Sequence, residues 1–459
     1  MLFARSRRLP PGVRSLITAA LLVLPAAGSA GTFDDLRVLY GLSEYAVYTD
    51  SLFYTSVGQT AKVSLNTVPD LSILYDDGKT RWLARGYYRR ESFPDERDLS
   101  GDYYAISGEF GRELNAHHSF SIVGGYTSSS STTLGETLTE PGQLEVVVPR
   151  RGVRTTGTAW SPSITSFWSR RLTTNLAYED TQSFTGDGSS LFNRALTLSG
   201  AYALSPTTAL QVVLQGATYL NRGQPFVDQG DANTFTARVG FSRVMSPRFT
   251  MVLTAGPQWT REINLPDQVT LIRNARIKKT DPIFGTSEQL FLTEPGVEVE
   301  NTSVSLAFSL GMNYRIDGST SVALEAVRST DSGQGVNGTF EQDEVGVVLS
   351  RGLSRRWQLS VGARYLRGES ISRAFAVLPT VDPETGQREA LDSKSFDLGQ
   401  RVNLKQAFFQ PRLTFRINRW WSTYLGWDHT RFENQGRGAS SLNVNRVTLG
   451  LEFRDEARF

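Results

Sequence analysis

From residue 303 to 316 the chain alternates between two characters. Val304, Leu306, Phe308, Leu310, Met312, Tyr314 and Ile316 fall on one face, and Ser303, Ser305, Ala307, Ser309, Gly311, Asn313 and Arg315 on the other. A period of two places side chains alternately on the faces of a strand, whereas a helix would scatter them. Segment 249–260 repeats the pattern. Phe249, Met251, Leu253, Ala255, Pro257 and Trp259 oppose Thr250, Thr254, Gly256, Gln258 and Thr260, with aromatics at both ends of the apolar stripe. Trp357, Leu359, Val361, Ala363 and Tyr365 oppose Gln358, Ser360, Gly362 and Arg364. Phe409, Pro411, Leu413, Phe415 and Ile417 oppose Gln410, Arg412, Thr414 and Arg416.

Connections between these segments run short, then long. Short ones carry tight-turn residues: Asp76–Lys79, Leu114–Ala116, Leu204–Thr207, Met245–Pro247, Asp317–Ser319, Leu353–Arg356 and Ile417–Arg419. Longer polar stretches lie between them, including 129–152, 263–300 and 371–401. Outer-membrane barrels have short periplasmic turns, long extracellular loops and apolar stripes that end in aromatics. The pattern predicts an all-β fold: a single transmembrane antiparallel β-barrel spanning 31–459. Seventeen strands are legible from about residue 61, and a first strand at about 38–55 makes eighteen. Sixteen is the alternative if the N-terminal segment stays outside the barrel, since the number should be even. A soluble sandwich or propeller also alternates, but its loops need not sort by length and its apolar face needs no aromatic girdles.

Composition agrees with strands that cross a membrane. The 459 residues are 39% hydrophobic and 11% aromatic, with 41 Gly and no Cys. After residue 30 no run approaches the ~18 apolar residues of a spanning helix. Residues 1–30 read as a cleaved signal peptide, with Arg5, Arg7, Arg8 and Arg14 ahead of a short apolar run and small residues up to Ala30. A retained anchor is the alternative, disfavoured by Pro25. Cleavage takes four positive charges from a net +2, leaving −2, which argues against a nucleic-acid partner. The expected location is the cell outer membrane of a Gram-negative-type bacterium, among lipid and lipopolysaccharide.

Phasing the strands sends Arg81, Arg85, Arg89, Arg238, Arg315, Arg364, Arg412 and Arg416 inward, against Glu109, Glu179 and Glu325. Such an excess of guanidinium would favour anions. Alternatively, the arginines pair with acidic residues of the lumen or hold a loop folded inward. Loops 263–300 and 371–401 are long enough to plug the mouth or to stand in solvent.

Little else suggests chemistry. His117 and His118 sit at a turn without a third ligand. Adjacent Asp428 and His429 face opposite ways on a strand, lumen and lipid, so no Ser-His-Asp set shares a face. Without Cys there is no thiol chemistry and no Cys-ligated zinc. No enzyme activity, metal or cofactor is expected.

The run Val68-Pro69-Asp70-Leu71-Ser72-Ile73-Leu74-Tyr75, then Leu83-Ala84-Arg85-Gly86-Tyr87-Tyr88, then Tyr103-Tyr104-Ala105-Ile106-Ser107-Gly108-Glu109-Phe110 resembles the porin-like outer-membrane barrels associated with exopolysaccharide production and export and with exosortase systems. The turn Leu204-Ser205-Pro206-Thr207-Thr208 is similar to theirs. The resemblance implies an outer-membrane channel for exopolysaccharide or anionic solutes, with a periplasmic export component as partner. Its alternative is a non-conducting accessory barrel of a polysaccharide or surface-protein secretion system. No catalytic motif is carried over. Phe453 and terminal Phe459 resemble the signal read by the barrel assembly machinery, although Asp455 stands where that signal has a hydrophobic residue. The chain is shorter than cytochrome-sheath barrels and lacks their Cys-x-x-Cys segment. It also lacks the plug domain and periplasmic box of siderophore receptors.

Overall fold

A computed structural model describes residues 36–50, 61–94, 100–130, 154–186, 190–222, 229–265, 299–332, 339–370, 403–435 and 440–458, with short pieces between 268 and 397. Residues 1–35, Phe459 and most of the three long loops lie outside the described residues.

Eighteen antiparallel strands form one sheet. They are β1 (Leu36–Thr49), β2 (Lys62–Asp76), β3 (Thr80–Ser92), β4 (Gly101–Asn115), β5 (His118–Ser129), β6 (Thr155–Phe167), β7 (Leu172–Thr185), β8 (Ser190–Ser205) and β9 (Thr208–Arg222). The series continues with β10 (Gln229–Ser246), β11 (Phe249–Leu265), β12 (Val299–Arg315), β13 (Thr320–Ser332), β14 (Thr339–Gly352), β15 (Trp357–Ser370), β16 (Asn403–Arg416), β17 (Trp421–Gln435) and β18 (Ser440–Arg458). Each strand pairs with the next, and β1 pairs with β18 from Arg37↔Arg458 to Thr49↔Arg446. The sheet therefore closes, and no strand edge is left to hydrocarbon. The eighteen-strand expectation holds. The first strand spans Leu36–Thr49, and residues 51–55 of the expected segment lie outside the described residues.

Register settles which residues face outward. Trp259 pairs with Phe235 and Val304, and Phe249 with Tyr314, so the apolar stripes of β10, β11 and β12 lie side by side. Ring contacts tie neighbouring strands into two belts. Tyr75–Trp82, Phe110–Phe120, Trp357–Phe415 and Trp421–Phe453 belong to one end, and Tyr104–Tyr126, Trp160–Tyr178, Phe235–Trp259 and Phe409–Trp427 to the other. Between the belts, large apolar side chains such as Leu196, Val304, Leu306, Leu425 and Leu449 stand exposed. A closed barrel with this exterior is a membrane protein of the outer membrane. Asp455 sits on this outer face at the periplasmic end and accepts a hydrogen bond from the Tyr40 hydroxyl (3.1 Å), which explains a polar residue there.

All eight connections at the periplasmic end are tight, and each is capped alike. Asp77, Asn115, Ser169, Ser205, Ser246, Asp317, Ser354 and Asn418 accept hydrogen bonds from backbone N–H groups two residues on. These local side-chain turns are the ones the residue types favour. Gly78 supplies the left-handed conformation its turn needs (φ 83°). Backbone donation from Thr80 and Lys79 holds the Asp77 carboxyl below the usual range, and donation from Ser319 does the same for Asp317. The turn at 168–171 is the least marked of these in the sequence, because Trp168 continues the apolar stripe.

One outward residue breaks the pattern. Glu44 pairs with Thr67 and Leu451, midway between the belt residues Tyr40 and Tyr48. It is exposed, and among the described residues it is the only charged side chain facing outward between the belts. A charge on a barrel's lipid face costs stability most near the midplane. Glu44→Leu is therefore expected to stabilise the barrel by about 1–2 kcal/mol, read as a higher urea midpoint in lipid vesicles. A lower midpoint would mean that the Glu44 carboxylate makes a stabilising contact within the barrel itself.

The wall is sharply bent at β10 and β11. A Cβ on Gly240 would overlap the carbonyl oxygen of Leu253, and one on Gly256 that of Ala237. Glycine kinks of this kind turn corners in barrels. Near these glycines the Tyr219 hydroxyl of β9 donates to the Thr330 carbonyl of β13 (3.2 Å) across three intervening strands.

Candidate functional site

The lumen is the only polar face this fold offers between the belts, and register assigns its residues. Arg81 pairs with Asp76, Arg85 with Ser72, and Arg89 with Tyr103. Arg238 pairs with Val213, Arg315 with Ser321, Arg364 with Gly346, Arg412 with Ser360, and Arg416 with Ser422. All eight face inward, as phased from sequence. Their surroundings differ. Arg89 is buried over the Tyr103 ring (5.2 Å). Arg364 forms an ion pair with Glu344. Arg238 is half-buried, and its Nε is enclosed without a hydrogen-bond partner. Arg412 lies on the Tyr424 ring (3.8 Å) yet stays exposed, as do Arg81, Arg85, Arg315 and Arg416.

The expected excess of positive charge shrinks accordingly. Asp70 pairs with Tyr87, Glu91 with Asn66, Glu344 with Val327, Asp428 with Arg446 and Glu452 with Ser422, and all five point inward. Arg37, Arg446 and Arg454 join the positive side. The sequence count fell short because it rested on the clearest stripes alone. Pro69 on the outer face implies Asp70 on the inner, and Val345 likewise implies Glu344, so both were legible from their neighbours.

Two arcs of the wall differ in chemistry. On β5–β9 the inner face is mostly hydroxyls and amides: Ser121 and Ser163 meet at 2.7 Å, the Asn175 side-chain amide donates to Thr165 (2.9 Å), and Gln211 and Gln215 follow. The arc β15–β18 and β1–β4 carries six of the eight arginines, Arg238 and Arg315 lying on β10 and β12, together with Tyr45, Tyr87, Tyr103, Phe408 and Tyr424. Glu109 and Glu179 also face inward, one on each arc, and Glu325 stands beside Glu344 and Arg364.

The two ends differ as well. Toward the outside, inward residues are enclosed: Thr260 is 2% exposed, Gln258 3%, Leu366 1%, Gln406 2% and Val444 1%. Toward the periplasm they are open. The lumen is thus a vestibule that narrows outward.

The remaining candidates fall elsewhere. His117 Nδ1 meets the Phe167 carbonyl (3.1 Å) and His118 Nδ1 meets Ser166 Oγ (3.0 Å), each on its own. His429 faces lipid and meets Asn445 (2.9 Å), while Asp428 faces the lumen. Phe453 lies in the periplasmic belt between Tyr40 and Trp421.

No family model matches the sequence, and no curated protein does. Solved structures similar to the chain include the FrpB iron transporter from Neisseria meningitidis (F3-3 variant), at 9% identity and a TM-score of 0.43 over 91% of this chain and 81% of that one. The ferric citrate transporter FecA in its unliganded form gives 9% and 0.45 over 88% and 61%. The siderophore receptor PirA from Pseudomonas aeruginosa gives 11% and 0.41 over 93% and 81%. Nothing further rests on these likenesses; register and exterior carry the class, a transmembrane β-barrel of the outer membrane with a polar lumen.

Proposed function

We propose that this barrel is a channel for exopolysaccharide or anionic solutes. One observation carries the reading: the lumen holds exposed arginines, most of them on one arc, together with a stretch of wall rich in hydroxyls and amides. Guanidinium groups bind carboxylates bidentately and stack on flat rings. Serine, threonine, asparagine and glutamine exchange hydrogen bonds with sugar hydroxyls as donor and acceptor. The iron transporter, ferric citrate transporter and siderophore receptor named above suggest iron complexes as another cargo, but their likeness is too slight to favour it.

Enclosure of the outer half favours a second reading, a non-conducting accessory barrel of a secretion system. Purified protein in planar bilayers separates the two. The channel should give stepwise currents, with a reversal potential in a salt gradient displaced toward anions. Stepwise currents that prefer cations would remove anion passage, and a silent, correctly folded barrel would favour the accessory role.

A further inference from the structure

The charges at the two ends of the barrel are handled differently. Around the outer end they are neutralised within the wall: Arg90 with Asp102 (2.6 Å), Arg194 with Asp180 (3.0 Å), and Arg328 with Glu341 (2.6 Å). At the periplasmic end arginines dominate. Arg170, Arg171, Arg248, Arg355, Arg356 and Arg419 occupy the tight turns and are exposed. Arg37, Arg81, Arg315, Arg416 and Arg454 line the vestibule just inside, also exposed. Of these five, only Arg454 forms an ion pair among the described residues, with Glu452.

The acidic residues at this end are fewer: Glu113 and Glu456 face inward with the arginines, and the others are engaged in the wall. Asp76, Asp77 and Asp317 cap turns through backbone N–H groups, and Asp455 accepts from Tyr40 on the outer face. Backbone bonds set the arginines side by side. The Arg315 N–H donates to the Arg248 carbonyl (2.7 Å) and the Arg416 N–H to the Arg356 carbonyl (2.8 Å). Each pair joins a vestibule arginine to a turn arginine. Like charges gathered this way repel, and a fold that needed only solubility would intersperse the signs. A mouth with a net excess of one sign, set in a low-dielectric wall, concentrates ions of the other sign.

We propose that the periplasmic mouth is a docking collar for a polycarboxylate chain, a linear acidic polysaccharide that enters from the periplasm. This rests on the channel reading and adds the substrate's charge and its side of entry. A polymer suits the collar better than a small anion, because turn and vestibule arginines form two tiers that one chain can span. Arg112, Arg243 and Arg351 are positive at the same level but lie on the outer face, where lipid headgroups are their neighbours.

The test uses the mature chain in neutral-lipid nanodiscs, with fluorescently labelled polygalacturonate as probe. Wild-type protein should bind it, with affinity falling steeply as salt rises. Changing Arg37, Arg81, Arg315 and Arg416 together to Gln should weaken binding tenfold or more. The Arg112→Gln/Arg243→Gln/Arg351→Gln triple variant should bind as wild type does. Heat-modifiable electrophoretic migration shows whether each variant is folded. If the quadruple variant does not fold, a bilayer holding oriented wild-type barrels decides: polygalacturonate should act from the periplasmic side only. Equal binding by folded quadruple variant and wild type, or loss confined to the outer-face variant, would overturn the collar. Binding without stepwise currents would sink the channel reading alone, and currents without binding would sink the collar alone.

Discussion

Gly240→Val or Gly256→Val is expected to prevent the barrel from closing. Both glycines sit where β10 and β11 turn the corner, and a side chain at either would occupy the place of a backbone carbonyl, Leu253's or Ala237's. Backbone cannot swing aside as a flexible side chain can, and two adjacent strands would have to separate. The cost should be on the order of 3 kcal/mol or more, the upper range for overpacking. Controls lie in the same wall, since a methyl group added at Gly216 or Gly311 would meet only open space. Alanine at those positions should fold at near wild-type yield. Folding yield into lipid vesicles, scored by heat-modifiable migration, is the readout. Wild-type yields for both valine variants would show that the corner is no structural requirement.

Arg364→Gln is expected to be the most damaging single change within the lumen wall. Arg364 and Glu344 form an ion pair with side chains 23% and 10% exposed, and Glu325 stands beside both. Removing the guanidinium leaves two carboxylates together in a partly enclosed place. Breaking one side of such a pair costs about 3 kcal/mol, most of it the penalty of the stranded charge. The double variant Arg364→Gln/Glu344→Gln should recover most of that loss, because Glu344 is then no longer a stranded charge. Urea unfolding of wild type, both single variants and the double variant measures the coupling directly. Additive effects would mean that the pair is only a surface contact bathed by lumen water.

Much of this molecule is legible in its sequence. The stripe from Val304 to Tyr314 and its partner from Phe249 to Trp259 lie side by side as their phase required. All eight phased arginines face inward, and Asp428 and His429 part to lumen and lipid. The turn at 168–171 is the least marked of the eight, because Trp168 continues the apolar stripe. Glu44 could be seen as a charge in an apolar stripe. Its place midway between the belts required the register of β1 against both neighbours.

By itself the sequence determined the period, the sorting of turns from loops, and hence a closed cylinder with apolar exterior and polar interior. These follow from rules that act over a few residues, the alternation of a strand and the chemistry of a tight turn. Only the tertiary structure decided which inward arginines are neutralised and which stand open, that Tyr219 reaches Thr330, and that vestibule and turn arginines gather at one mouth. Each depends on distances between strands far apart in the chain. Those distances are set by closure and by the bend at Gly240 and Gly256, which no local pattern encodes.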